Sequence, residues 1–193
     1  MKLAVFGYGG HAREVQVQIG KEVTFFVDDE YSNEYTTPLS EFNPNEYQMM
    51  IAVADSTERE KIVKKLPPKT KFFTFIHQTS QIIGDDVIIG EGSFIGANSI
   101  LTTNIKLGKH TILNRGNHVG HDTIIGDYFS AMPGAIVSGN VNIGNCVYMG
   151  TNSSVREKIN ITNNVILGLN SGVVKDISIE GTYGGCPVKL LNY

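Results

Sequence analysis

Cysteine is scarce in this 193-residue chain: there are two, Cys146 and Cys186. Neither belongs to a CxxC or stands at ligand spacing from a histidine. The sequence therefore shows neither a disulfide framework nor a zinc motif, and no metal is expected; a reduced, cytoplasmic setting fits best. Long apolar runs are also missing. Nothing approaches the roughly 20 residues that cross a bilayer, and the Leu3 to Phe6 run is far too short for a secretory core, so no membrane role is expected. Charge of one sign is lacking too. The formal net charge is −3, which gives no general basic field for nucleic acid. With 41% hydrophobic and 18% charged residues, the composition is that of an ordinary folded protein, long enough for one large or two small domains.

What the chain does have is a period. From Ile83 to Val173 every sixth residue is apolar. The next residue is often glycine, as at Gly84, Gly90, Gly96, Gly108, Gly120, Gly126, Gly144, Gly150 and Gly168. Four residues after each apolar site stands a second column, mostly small or β-branched, from which Asn117 and Phe129 depart. A fixed short period marks a solenoid whose repeats bury their apolar faces only against one another. Six residues make one short strand and one tight corner, and three such faces close a triangular coil of about eighteen residues stacked at the inter-strand spacing of about 4.8 Å. The glycines suit corners that need positive φ or close backbone approach. Cys146 falls inside a hexad and reads as a packing residue.

Before Ile83 the beat is absent. Lys2 to Phe6 is an apolar run ending in Gly7-Tyr8-Gly9-Gly10-His11-Ala12. A helix-compatible stretch follows to about Ile19, then Glu22 to Val27, ending in Asp28-Asp29. Strand, Gly-rich turn, helix, strand and acidic pair open a nucleotide-binding βαβ unit, with Gly7, Gly9 and Ala12 in the relaxed G-x-G-x-x-A form. Bare backbone at the glycines and free N–H groups at a helix N-terminus suit a pyrophosphate; the bland alternative is a tightened turn. A third strand, Met49 to Ala54, leads through Asp55-Ser56 into a helix from Thr57 to Lys65, with Ser56 or Thr57 as its cap. Pro67-Pro68 closes it, and Lys71 to Ile76 reads as a fourth strand. The division expected is a Rossmann-like α/β half-domain over 1–77 and an all-β left-handed parallel β-helix with a C-terminal tail over 78–193. A half-domain suits one nucleotide better than NAD.

Of five histidines, two fall together in Asn117-His118-Val119-Gly120-His121-Asp122. Val119 is an inward column residue, so His121 and Asp122 lie at a corner and project outward. A carboxylate beside an imidazole fixes its tautomer and stabilises its cation, as a general base requires. His118 is the alternative base. A bland surface histidine is the competing reading, and a zinc site lacks a third ligand.

Together the unbroken hexads, Gly-Tyr-Gly-Gly-His, Val-Asp-Asp and Gly-His-Asp resemble the left-handed β-helix acyltransferases. Most similar are the sialic-acid/bacillosamine-type sugar acetyltransferases, which include N-acetyltransferases for nucleotide-linked 4-amino sugars. The resemblance spans nearly the whole chain. It implies a homotrimer with sites between neighbouring β-helices, acetyl-CoA as co-substrate, His121 as base and Asp122 as its partner. It also implies a nucleotide sugar held by Gly9, Gly10, His11, Asp28 and Asp29, and a second nucleotide-side loop at Asp55, Ser56 and Arg59. Asn114 and His118 would stand near the sugar. Acetyl-CoA would lie along the later coils past Gly150 and Gly168, and the Gly-Gly-Cys-Pro-Val-Lys end, with Pro187 and Lys189, resembles the family tail. Lys175 and Lys189 are candidates for the CoA phosphates. Some members carry a second histidine nine residues after the base. Here that position is Ser130, whose hydroxyl is a candidate donor to the thioester, while Gly139 and Gly150 are unseparated candidates for an oxyanion N–H. Bacterial surface glycan synthesis is the implied setting. The rival readings are sialic-acid-type O-acetylation, a non-catalytic nucleotide-sugar-binding β-helix, and, less well supported, an NAD-dependent oxidoreductase.

Overall fold

The computed structural model describes residues 1–191; positions 192 and 193 of the tail lie outside the described residues. The chain begins with a five-stranded sheet of order β3-β2-β1-β4-β5, all parallel: β1 Lys2–Phe6, β2 Thr24–Val27, β3 Thr37–Pro38, β4 Tyr47–Ile51 and β5 Lys71–Phe72. Parallel strands are covered on both faces and read as apolar runs. Ala4, Val5, Met49 and Met50 are accordingly buried. Helix α1, Gly10–Ile19, packs Ala12 and Val15 on one face with Val5, Phe25 and Met50. Helix α2, Ser56–Lys65, packs Ile62 with Phe6, Phe26 and Ile51 on the other. Asp55, not Ser56 or Thr57, caps α2: its Oδ1 accepts from the Glu58 N–H at 2.9 Å and the Thr57 hydroxyl at 2.8 Å. A carboxylate at the N-cap outcompetes the hydroxyls because it also faces the positive helix end.

The run Lys71 to Ile76 is not one strand. Lys71–Phe72 pairs with Gln48 and Met49, whereas Phe75–Ile76 pairs with Phe94 and Ile95. The chain thus leaves the first sheet and enters the coil across Phe73 and Thr74.

The coil has three parallel sheets, here called the first, second and third faces in the order a coil visits them. In the middle coil these are Ile112–Leu113, His118–Val119 and Thr123–Ile125. Stacked residues are eighteen apart, as in Ile112 on Ser130 on Tyr148 on Ile166. Both predicted columns point inward: Leu101, Leu113, Val119 and Val155 are buried, and so are Ser99, Thr111, Ser153 and even Phe129 and Asn117. Ile83, however, faces solvent. Its strand is Gln81–Ile82, and Ile82 stacks beneath Leu101, so the first coil is out of step by one residue.

The hexad glycines do one job and not the other. None of the predicted set has positive φ. A Cβ on Gly90 would lie 2.5 Å from the carbonyl carbon of Gly108, and one on Gly120 2.6 Å from the Gly139 nitrogen. They are bare because the next coil's backbone lies against them. Positive φ occurs two residues later, most often at asparagine, as at Asn98, Asn104, Asn140, Asn152, Asn164 and Asn170, at glycine in Gly92, Gly116 and Gly134, and at Asp122, His110, Tyr128, Cys146 and Lys158. Asn and Asp tolerate this left-handed conformation best among residues with a side chain.

The first face carries the α/β domain. Its outward Phe94 and Ile112 join the core of α1 and β1. Arg59, 1% exposed, reaches from α2 into the coil. The guanidinium donates to the carbonyls of Val53, Ala54, His110, Tyr128 and Phe129 and to the Ser130 hydroxyl, at 2.5–3.2 Å. Burial lowers its pKa to about 10, which leaves it charged at neutral pH. A charge so buried persists only because nearly every N–H has an acceptor.

Candidate functional site

His121 stands at the corner between the second and third faces, exposed, and Asp122 follows it at φ 57°. That left-handed turn folds the Asp122 carboxylate back over its neighbour, placing Oδ2 2.7 Å from His121 Nδ1. The other oxygen, Oδ1, accepts from Asn104 Nδ2 at 2.6 Å. These two hydrogen bonds, Asn104's first, hold the Asp122 carboxyl below the usual carboxylate range. An ionised Asp122 makes Nδ1 the protonated nitrogen, so Nε2 carries the lone pair of a neutral imidazole. One coil on, Gly139 faces the ring: a Cβ there would lie 2.7 Å from Nε2. The basic nitrogen thus meets bare backbone on one side and solvent on the other. His118 is exposed on the second face, stacked between Ile100 and Ile136, with no polar partner among the described residues.

Gly9 and Gly10 begin α1, and an added Cβ at either meets nothing within 4 Å. Packing does not require either of these two to be bare. Beside Gly10 lies a 370 Å³ cavity with Arg13, Glu14, Gln18, Ala97 and Arg115. His11 packs edge-on against Phe94 at 5.8 Å. Neither of its ring nitrogens has a hydrogen-bond partner among the described residues, and burial lowers its pKa.

Several expected ligand residues are otherwise engaged. Asp28 is paired with Lys65 at the end of α2, and Asp29 accepts from the Ser40 N–H at 2.9 Å. They line a second cavity with Leu39 and Ser40, apart from the one beside Gly10. Asp55 is the α2 cap, and Ser56 is buried with its hydroxyl on Ser130 and the Val147 carbonyl. Arg59 binds backbone, not nucleotide. Asn114 is buried, and its Oδ1 accepts from the Arg115 N–H, which shapes the corner. Ser130 is also corrected. Nine residues after His121 is half a coil away, on the first face, where the hydroxyl is fully buried, donating to Ala54 O and accepting from Arg59. It is no free thioester donor.

Gly139 and Gly150 are separated by the structure: Gly139 lies on the His121 corner, whereas Gly150 and Gly168 follow first-face strands. Lys175 is exposed just past Gly172–Val173, on the same corner column as His121, three coils on. Pro187 and Lys189 belong to the tail that folds over Gly172, with Lys189 exposed in a short antiparallel strand. A further cavity of 320 Å³ lies where the α2 start meets the coil, lined by Ala54, Asp55, Thr57, Cys146, Tyr148 and Ile166. Cys146 is a buried thiol pushed up to about 11, mainly by desolvation.

The site divides between two places. The Gly-rich loop lies on the first face, near the Asn114–Arg115 corner, and His121 lies one full face further round. The residue missed from sequence is Asn104. It precedes Asp122 by one coil of eighteen residues, and only the register reveals the pairing.

Residues 2–66 match the PglD N-terminal domain. The chain is 23% identical over 170 residues to the GDP-perosamine N-acetyltransferase of Escherichia coli O157:H7, covering 79% of this chain and 77% of that protein. WeeI from Acinetobacter baumannii AYE superposes with a TM-score of 0.89 at 29% identity, covering 99% of this chain and all of the other. The acetyltransferase domain of PglB from Neisseria gonorrhoeae FA1090, solved with acetyl coenzyme A, gives 0.87 at 28% identity over 98% of each chain. Coil and relatives together define an acyltransferase on a left-handed, hexapeptide-repeat β-helix. Within that class the chain is similar to the GDP-perosamine N-acetyltransferase and the PglB acetyltransferase domain named above, and its first third matches a PglD N-terminal domain. Among the described residues no helix is long and apolar enough to cross a membrane.

Proposed function

We propose that the protein transfers acetyl from acetyl-CoA to the amine of a nucleotide-linked 4-amino-4,6-dideoxy sugar, as a homotrimer whose sites lie between neighbouring β-helices. One observation carries this: His121 stands at an open corner with Nδ1 2.7 Å from an Asp122 carboxylate held below the usual carboxylate range, which leaves Nε2 as the nitrogen free to act. Nε2 takes a proton from the sugar amine as the amine attacks the thioester carbonyl. The new N–C bond forms, the C–S bond breaks, and the imidazolium returns its proton to the leaving thiolate. Asp122 stabilises the cation meanwhile, and no covalent enzyme intermediate is needed. The Gly139 N–H, beside the ring, is the oxyanion donor.

Gly9, Gly10 and His11 of another copy hold the nucleotide, with the helix N-terminus toward its phosphates. The orphan imidazole nitrogens of His11 fit a polar ligand. The mostly apolar cavity lined by Tyr148 and Ile166 suits a pantetheine arm, with Lys175 toward the CoA phosphates. Synthesis of a bacterial surface glycan such as O-antigen lipopolysaccharide, in the cytoplasm, is the setting. The relatives named for perosamine and acetyl coenzyme A support this acceptor and donor.

The test is thiol release from acetyl-CoA with UDP-, dTDP- and GDP-linked 4-amino sugars, comparing wild type with His121→Ala. Release with one acceptor, reduced about 10²- to 10⁴-fold in the variant, is expected. Near wild-type turnover in the variant overturns the base, and release with no amino sugar overturns the acceptor.

A further inference from the structure

We propose that Asn104 is a positioning residue for this reaction, holding Asp122 in the one orientation that fixes the tautomer of His121. The inference rests on the general-base reading above and adds to it a residue from a different coil.

Asn104 occupies the same corner as Asp122, one coil below, at φ 50°. Its Nδ2 donates to Asp122 Oδ1 at 2.6 Å, while Oδ2 of the same carboxylate meets His121 Nδ1 at 2.7 Å. Each carboxylate oxygen thus has one assigned partner. Asn104 is itself anchored: its N–H donates to Asp86 Oδ1 at 2.8 Å, and the adjacent Thr103 hydroxyl donates to Asp86 at 3.0 Å. A chain of contacts therefore climbs the corner from Asp86 through Asn104 and Asp122 to His121.

Restraint matters here because the side chains of His121 and Asp122 are 57% and 44% exposed. An aspartate so open to water has other rotamers available, and a carboxylate turned outward frees Nδ1 to lose its proton. The imidazole would then divide between two tautomers, one of them with its lone pair on the wrong nitrogen. A neutral amide donor is suited to this work. A lysine would cancel the carboxylate's charge, and a second acid would repel it. Asparagine also tolerates positive φ, so one residue serves the backbone and the hydrogen bond together.

These two roles separate experimentally. Asn104→Gly keeps the left-handed backbone and removes the amide; Asn104→Asp keeps the shape and replaces donor with acceptor. With acetyl-CoA and the active acceptor, Asn104→Gly is expected to lower kcat about tenfold, part of what a general base supplies. Both KM values and the thermal midpoint should stay near wild type. Asn104→Asp should be at least as impaired. In an Asp122→Asn background, Asn104→Gly should cost nothing further, because the two residues act as one unit. Imidazole 15N NMR should show one His121 tautomer, protonated at Nδ1, in wild type and a mixture in Asn104→Gly. Wild-type kcat and an unchanged tautomer in Asn104→Gly would overturn the inference while leaving the base in place. Full turnover by His121→Ala would instead overturn the reading on which it rests.

Discussion

An imidazole on an open corner becomes a usable base only when its proton is confined to one nitrogen. In the proposed mechanism Asp122 does that from 2.7 Å, and the left-handed φ of Asp122 aims the carboxylate. The adjacent His-Asp pair was legible in the sequence because one residue's separation suffices for contact at a corner. The Asn104 link was not, since it spans eighteen residues and needs the coil register. Gly139 gives a test at this scale. A methyl on Gly139 would lie 2.7 Å from His121 Nε2, so the ring must swing away. The ring is an exposed side chain and Gly139 lacks positive φ, so the swing costs the fold little. Gly139→Ala is expected to keep its thermal midpoint while kcat falls by about tenfold or more, as misplaced catalytic groups do; an unchanged kcat would remove Gly139 from the site.

Between elements, α2 and the coil are joined by Arg59. The helix was legible from the polar capping residues at its start and the following prolines, but the role of Arg59 was misassigned. Motif resemblance placed it near nucleotide, whereas burial against six acceptors makes it a strut. An arginine in a loop-to-helix segment has the same sequence signature in both roles, and only the packing of the two domains distinguishes them. Arg59→Ala leaves five carbonyls and the Ser130 hydroxyl without this donor, and is expected to cost about 3–5 kcal/mol in urea unfolding. A cost below about 1 kcal/mol, within the range of ordinary surface changes, would show that the strut carries no load. The glycine column teaches the same point about what a pattern specifies. Period and small size were plain in the sequence, but whether glycine served φ or close approach depended on the coil spacing. The left-handed residue stands two positions on, most often as asparagine, and as glycine at Gly92, Gly116 and Gly134.

For the whole molecule, the domain junction contains a titrating group that the chemistry does not use. His110 is buried, stacked on Tyr128 at 5.3 Å and edge-on to Phe72 of β5. Desolvation first, then Arg59, lowers its pKa from 6.5 to about 4, against opposing effects from Glu91 and Asp127; Lys109 adds to the lowering. The unfolded imidazole takes up a proton near 6.5 while the folded one resists to about 4. This group's contribution is therefore full above pH 6.5 and is lost as pH falls toward 4, by up to about 3 kcal/mol. His110→Asn, which suits the φ of 55°, should remove that slope in urea unfolding at pH 7 and pH 5, whatever packing it loses at both. An unchanged slope would assign the acid sensitivity elsewhere.

At the same scale the two-part organisation was legible, because the hexad beat and the βαβ pattern occupy separate stretches. The placement of the α/β domain on the first face, one face away from His121, was not. That placement is why the site is assigned to two copies, and complementation measures it directly. His121→Ala has an intact loop and no base. Gly9→Glu has an intact base and a carboxylate where phosphates would bind, at a position where a side chain meets nothing else. Each variant alone should be inactive. Co-expressed in equal amounts with different tags and purified through both, they should regain about a third of wild-type thiol release, since every mixed trimer has one of its three interfaces with base and loop both intact. Recovery at that level supports a shared site; a mixed assembly as inactive as its parents would show that base and loop must come from one chain.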